Sequence, residues 1–517
     1  MNCGLDIVLL VLDTHRVDRL SCYGYPRETS PYLDAFAADS TLFRHAVSAA
    51  QWTIPSHASM FTGLYPSTHK MVEYFSVLSP TQPTLAERLR DAGYFTAGFN
   101  NNVSLGVVGN GLQRGFQSFI SYNGLLSLQT RNAGVNPERV RRYRESFKRK
   151  FATSIMSFQD TFTRSESLQA LSFLLYARLG QPLEKVLKTR GDTKKALTEA
   201  ARLLIERKAV ADGQPIFTFI NLMGTHMPYD PPQRFVARYA PRVLHNKAAR
   251  RYLHYLNNHL FNQMAPLMND LDEQSKMILD EIYDAEVASQ DEQVDAFLAK
   301  LRSSGNLGRT MVIICADHGE HLGEKQMMGH AFSIYNELAW VPLLIHDPGN
   351  NLSHGTQIER FVSTRRIFHT ILGAAGQASP SEENLTLTRS QSDDSDPDHG
   401  IVFSEAIPPQ NLLHALRQRH PEMVRAHQYD QKRRAAWKGE HKLIQVGEDY
   451  LELYNIFEDP NENNNLSEAL PEKVRNMQEH LQTFATHVGV AFPTTDYTFE
   501  YEDPVVLSHL RNLGYLE

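Results

Sequence analysis

DIVLLVLDTHR, residues 6 to 16, decides how the chain is to be read. Its first seven residues are almost continuously apolar, followed by Asp13, Thr14, His15 and Arg16. The run lacks a basic leader and a small-residue cleavage site, and it is far too short to span a bilayer. A short unbroken apolar run without alternation reads as a strand buried on both faces of a parallel sheet, here from about Leu5 to Asp13. The fold therefore begins almost at the first residue, and Asp13 marks the carboxyl end of a strand. That placement, with no apolar stretch of 18 residues anywhere later, predicts a cytoplasmic protein without a transmembrane anchor.

The remaining sequence repeats the alternation. SPYLDAFAADS, SHASMFTGL and TLAERLRDAG carry helical periodicity, and YFTAGFN is a short strand. QPIFTFINLMG (214–224), RTMVIICADHGE (309–320) and WVPLLIHDPG (340–349) resume the strand pattern. Alternating strands and helices imply an α/β fold with a largely parallel sheet. Two helical insertions interrupt it, at about 125–212 and 234–300. The first holds ERVRRYRESFKRK, with seven Arg or Lys residues between Arg139 and Lys150, a pattern that most simply makes a solvated helix face. The polar, turn-rich TLTRSQSDDSDPDHG (386–400) divides a catalytic domain, 1–385, from a C-terminal subdomain, 401–517. In the latter, AAWKGEHKLIQVGEDYLELYNIFEDPNENNNL reads as a strand pair ending in an Asp-Pro-Asn turn.

A chain of 517 residues exceeds what one core supports, which agrees with a large domain and a smaller one. The net charge of −7 supplies no global positive field, so nucleic acid is not an expected partner. Cys3, Cys22 and Cys315 form no C-x-x-C pair, and Cys22 and Cys315 suit buried thiols in a reducing compartment.

Chemistry concentrates at strand ends, where parallel sheets bind ligands. Asp13 ends the first strand, Asp317 and His318 end MVIICA, and Asn221 to His226 follow IFTFINL. Acids and an imidazole gathered from distant segments suit a divalent metal, Mn²⁺ or Zn²⁺ rather than Ca²⁺ with its all-oxygen shells. A hydroxyl from WTIPSHASMFTGLYPSTH (52–69), set at a helix N-terminus, could complete the site and be acidified by the metal. Taken singly, a strand-end aspartate is an ordinary helix cap and Asp-His-Gly an ordinary turn.

In their order, these blocks together with HMPYDPP, YDAEVASQDEQVDAFLAKL, ADHGEHLGE and KLI…ELYNIFEDPNENNNL resemble the sulfatase branch of the alkaline phosphatase superfamily, over nearly the whole chain. The resemblance implies a central mixed sheet flanked by helices, and a C-terminal subdomain with a four-stranded antiparallel sheet. It implies one divalent metal on Asp13, Thr53, Asp317 and His318, with Thr53 as nucleophile. His226 and His330 are then catalytic contacts to the transferred group, His330 standing where sulfatases place a lysine. Arg16, His57, Asn101 and Asn102 are expected around the substrate.

The departures from the pattern bear on function. Sulfatases oxidise a Cys or Ser to formylglycine, whereas a threonine at position 53 would give a ketone. Threonine nucleophiles mark the phosphoryl-transferring branches of the superfamily, and T-x-P-S-H with TGLYPSTH resembles the nucleotide pyrophosphatase signature. Thr14 replaces a second metal aspartate. The expected activity is metal-dependent phosphoryl transfer, hydrolysing a small-molecule phosphodiester or phosphate ester through a covalent threonine intermediate. The alternatives are sulfate-ester hydrolysis without formylglycine, a soluble phospho- or sulfo-group transferase, and a catalytically silent binding protein.

Overall fold

The computed structural model describes residues 4–74, 76–106, 109–122, 129–131, 191–208, 210–258, 267, 270–388 and 396–488. Cys3 and the basic stretch Arg139–Lys150 lie outside the described residues. The strands in chain order are β1 (Asp6–Leu12), β2 (Thr41–Val47), β3 (Phe95–Asn100), β4 (Ser118–Ser121), β5 (Gln129–Arg131), β6 (Ile216–Leu222) and β7 (Thr310–Ala316). A short hairpin follows, β8 (His321–Leu322) and β9 (Met328–Gly329), then β10 (Trp340–Val341), β11 (Leu343–His346) and β12 (Thr356–Ser363). The C-terminal strands are β13 (Val402–Ala406), β14 (Arg433–Lys438), β15 (His441–Val446) and β16 (Tyr450–Asn455).

The central sheet is mixed and mostly parallel. β1 lies between β6 and β7, parallel to both, and β3 and β4 extend the parallel set beyond β6. β11 runs antiparallel to β7 and to β2, and β12 pairs parallel with β2. The segment read from sequence as one strand at 340–349 is interrupted at Pro342, which has no N–H for the ladder, so β10 and β11 line the same edge of β2 in two pieces. All seven residues of β1, β6 and β7 are buried. Strands covered on both faces need no polar alternation, which is why each reads as a continuous apolar run.

Helices cover the faces in two packed groups. One gathers on the long helix Glu273–Ser303, against Pro31–Ala38, Thr193–Glu206 and Gln233–Tyr239. The other gathers Thr53–Thr62 with Leu85–Asp91 and Arg366–Ala374. The long helix also carries buried polar anchors: Asp291 accepts from the N–H groups of Tyr32 and Leu33, and so caps the helix Pro31–Ala38 from outside it.

The C-terminal region adds a second, antiparallel sheet in the order β13-β14-β15-β16. The expected strand pair is in fact three strands, because Gly439 and Gly447, at φ 60° and 63°, make two successive tight turns. Side chains alternate between its faces. Phe403, Ala436, Leu443 and Leu453 meet the helix Pro471–Val488 through Met477, Leu481 and Phe484. Ala435, Trp437, Ile444 and Tyr454 meet Val47, Ile334 and Ala339 of the main sheet region. A fully buried ion pair stitches the two parts. Lys442 Nζ lies 2.6 Å from Glu462 Oε1 and also donates to Ile334 O and Asn336 Oδ1. Burial holds the Lys442 ammonium below its usual pKa and pushes the Glu462 carboxyl up.

Removing one charge of such a pair strands the other away from water. Lys442→Met is expected to cost about 3–5 kcal/mol in urea denaturation. Adding Glu462→Gln should recover a large part of that loss. A single-variant loss below about 1 kcal/mol would show that the pair contributes little.

Candidate metal and active site

The register of β1 against its neighbours builds the site. Leu12 pairs with Ala316 on one side and Leu222 on the other, so the residues that follow, Asp13, Asp317 and the β6 loop, emerge together at one edge. Asp13 N still donates to Leu222 O, at 2.8 Å. Thr14 then turns the chain at φ 58°, a conformation β-branched residues rarely adopt. Its cost is offset locally: Thr14 N donates to Asp317 Oδ1 at 3.2 Å, and the Tyr283 hydroxyl donates to Thr14 O at 2.6 Å. On the β7 side, Gly319 admits no side chain, because a Cβ there would stand 1.9 Å from Glu337 O.

Donor atoms of Asp13, Asp317 and His318 lie within 4.8 Å of one another, all fully buried. Each carboxylate has one oxygen engaged and one aimed inward. Asp317 Oδ1 accepts from the N–H groups of Thr14 and His318. Asp13 Oδ2 accepts from Asn102 Nδ2 at 2.7 Å and Asn221 Nδ2 at 3.4 Å. Asp13 Oδ1 and Asp317 Oδ2 have no hydrogen-bond partner. His318 Nδ1 is held by Gly319 O at 2.9 Å, which directs Nε2 into the cluster. There Nε2 lies 3.3 Å from Asp317 Oδ2, 3.9 Å from Asp13 Oδ1 and 3.3 Å from Thr53 Oγ1. Two orphaned carboxylate oxygens, an imidazole nitrogen and a hydroxyl converging at fully buried positions fit a divalent cation.

Thr53 opens the ten-residue helix Thr53–Thr62, every residue of which is buried. His57, one turn on, meets Thr53 O through Nδ1 at 2.9 Å and Asn221 Nδ2 through Nε2 at 3.4 Å. His57 and Asn102, expected at the substrate, thus touch the residues of the cluster itself.

His330 and His226 face the same centre. The His330 ring lies 4.5 Å from the His318 ring and 5.3 Å from that of His226. His330 Nδ1 is 2.9 Å from Glu320 Oε1, while its Nε2 has no hydrogen-bond partner. Arg16 is engaged otherwise: its guanidinium binds Asp18, Glu324 and Glu320 O. The amide of Asn101 donates to Thr193 Oγ1 at 3.0 Å. Two residues with a part in the geometry carried no assigned role in the sequence, Glu320 and Asn221. Glu320 stands two places after His318 in DHGE, a spacing that could have suggested it; Asn221 had only its strand-end position.

Burial, then repulsion by Asp317, raises the Asp13 carboxyl, while His318 and the backbone donors hold Asp317 below the usual carboxylate range in spite of its burial. Burial opposes a proton on His318, but the two carboxylates overcome it and push the imidazole up to about 9. Without a cation the cluster therefore holds protons at neutral pH.

Comparison with known proteins identifies the family and the fold. The family model described as Sulfatase matches residues 6–377. An arylsulfatase of Clostridium perfringens is 24% identical over 392 residues, covering 74% of this chain and 77% of that protein. The phosphonate monoester hydrolase of Agrobacterium radiobacter superposes with a TM-score of 0.62 at 18% identity, covering 94% of this chain and 96% of that one. A protein solved with its substrate D-glucosamine-2-N,6-O-disulfate superposes with a TM-score of 0.65 at 15% identity, over 94% and 98% of the two chains.

A cation entering the cluster must displace the proton of His318, raised to about 9. Metal affinity is then weakest in acid and tightens as pH rises towards about 9, with proton release on binding. Calorimetric titration with Mn²⁺ in buffers of different ionisation enthalpy measures both. An affinity independent of pH would exclude these ligands.

Proposed function

This chain belongs to the sulfatase family, and from that premise we propose that it is a metal-dependent phosphoryl-transfer enzyme, hydrolysing a phosphodiester or related phosphate ester through a covalent intermediate on Thr53. The observation that carries the proposal is the place of the Thr53 hydroxyl, 3.3 Å from His318 Nε2 at a buried helix N-terminus. A threonine there cannot mature to an aldehyde, so the hydroxyl itself is the nucleophile. One divalent cation, Mn²⁺ or Zn²⁺, held by Asp13, Thr53, Asp317 and His318, would acidify that hydroxyl and offset charge on the phosphoryl oxygens.

The chain's own groups supply the remaining steps. Thr53 Oγ attacks phosphorus, the bond to the leaving oxygen breaks, and water later releases the phosphoryl group from Thr53. His226 delivers a proton to the leaving oxygen, and His330 Nε2 faces the nonbridging oxygens. Glu320 fixes the His330 ring through Nδ1 and so turns Nε2 towards the centre. Asn102, Asn221 and His57 hold the cluster in register rather than reach the substrate. Arg16 braces the Glu320 backbone.

Sulfate-ester hydrolysis on the unmodified threonine is the second reading, favoured by the arylsulfatase relative. Among the described residues no helix is long and apolar enough to cross a membrane. Free Cys22 and Cys315 favour a reducing, cytoplasmic setting.

Thr53→Ala is expected to lower turnover by roughly 10³-fold or more with an unchanged circular dichroism spectrum. Full activity in that variant would remove the nucleophile assignment. Aryl sulfate, phosphate monoester and phosphodiester substrates assayed side by side with Mn²⁺ or Zn²⁺ separate the two readings, and the phosphodiester is expected to turn over fastest. Glu320→Gln should lower kcat by about 10- to 100-fold and shift the pH–rate profile while KM stays near its wild-type value. A change confined to KM would assign Glu320 to binding.

A further inference from the structure

A second group of metal-ligating side chains lies away from the active site. Asp39 closes the helix Pro31–Ala38, His346 ends β11, and His354 stands in the turn before β12. One donor atom from each lies within 4.8 Å of the others. Strand register separates this group from the catalytic one: His346 pairs with Val312, five residues before Asp317 along β7, about 16 Å at roughly 3.3 Å per residue.

The geometry within the group is specific. His354 Nδ1 is 3.4 Å from Asp39 Oδ1, and His346 Nδ1 is 4.0 Å from Asp39 Oδ2 and 3.0 Å from Asp39 O. The two rings lie 4.9 Å apart, tilted by 56°. Both Nδ1 atoms thus converge on one carboxylate. His354 Nε2 donates to Asp347 O at 3.0 Å, which places the ring proton on Nε2 and turns the Nδ1 lone pair towards Asp39. A backbone carbonyl on the far nitrogen is how metal-ligating histidines are oriented.

The turn that presents His354 is itself fixed. The Asp347 carboxylate accepts from the N–H groups of Gly349, Asn351 and Leu352, and Gly355 N donates to Ser40 O at 2.9 Å. His346 is almost fully buried and its Nε2 has no hydrogen-bond partner, so its polar contacts all lie on the Asp39 side. A protonated His354 would bridge Asp39 alone while His346 Nδ1 donates to Asp39 O. A cation that takes all three side chains displaces that proton and releases it on binding.

We propose that Asp39, His346 and His354 form a peripheral site for Zn²⁺ or a similar transition-metal ion, one that staples the end of the helix Pro31–Ala38 to β11 and to the turn preceding β12. Two imidazole nitrogens and one carboxylate select such an ion over Ca²⁺ or Mg²⁺. Three protein ligands leave the fourth tetrahedral position to water. The role is structural, since no residue of the catalytic cluster touches the group.

The test uses the full chain without an affinity tag, stripped by chelator and exchanged into ZnCl₂, with bound zinc counted after gel filtration. Asp317→Asn removes a ligand of the catalytic cluster and leaves the peripheral one, so the outcome does not depend on the role of Thr53. That variant is expected to retain one zinc per chain, and Asp317→Asn combined with His354→Ala to lose it. Zinc should raise the Tm of the first variant and leave that of the second unchanged. His354→Ala alone should keep wild-type turnover. Equal zinc content in the two variants, whether because the peripheral ligands hold only an ion pair or because zinc binds elsewhere, would overturn the proposal.

Discussion

Everything at the catalytic edge follows from two carboxylates that the sheet brings together. β1 and β7 run parallel and in register, so the residues after them, Asp13 and Asp317, meet in a region without solvent. Two such groups repel, and each alone would resist ionisation there. The surrounding chain answers with donors on the outer oxygens: the amides of Asn102 and Asn221, and the N–H groups of Thr14 and His318. What is left is one bare oxygen from each acid, facing His318 Nε2 and Thr53 Oγ1. The positive φ of Thr14 and the missing side chain at Gly319 are local consequences of that demand, since both let the backbone close around the acids.

Local pattern made the frame of this arrangement legible. β1, β6 and β7 are buried on both faces and so appear as uninterrupted apolar runs, and the polar residues that end them stand out by contrast. The helix Thr53–Thr62 was readable from its periodicity and from the glycine that ends it, Gly63 at φ 71°. What escaped depends on partners far off in the chain. Glu320 gains meaning only when the hairpin β8–β9 folds His330 back onto it. Lys442 looks like an exposed strand lysine until Glu462 and Ile334 O arrive beneath it. The third strand of the C-terminal sheet was hidden for a different reason. Two glycine turns follow each other closely there, and a single long β-rich stretch does not say how often it folds back.

The same contrast separates Arg16 and Arg19 from any role on an anion. Arg16 is expected at the substrate from its position three residues after Asp13, and its backbone N–H donates to the Tyr283 hydroxyl that also holds Thr14 O. Its guanidinium, however, is taken up by Asp18 and Glu324, whose charges raise its pKa further in spite of burial. Arg19 is likewise bound to Asp280 and Asp284. Position along the chain sets where a Cα goes, and only the acidic neighbours decide where a charge is available.

The balance of charge at the cluster bears on the substrate. A divalent cation would cancel the two carboxylates, and among the described residues Arg16 and Arg19 are neutralised by their own partners, while the His330 imidazole is held well below its ordinary pKa by burial and by His318 and His226. A centre with so little excess positive charge stabilises a singly charged ester better than a dianion. The constraint disfavours a phosphate monoester, and it leaves phosphodiesters and sulfate esters equal, since each carries one negative charge. The choice between them then falls to the nucleophile. A hydrated aldehyde can expel sulfate by collapsing back to the carbonyl without any attack at sulfur, whereas an ester formed on threonine must be cleaved by water at the transferred atom itself. In the proposed mechanism a Thr53 nucleophile therefore suits phosphorus, where the second attack repeats the geometry of the first.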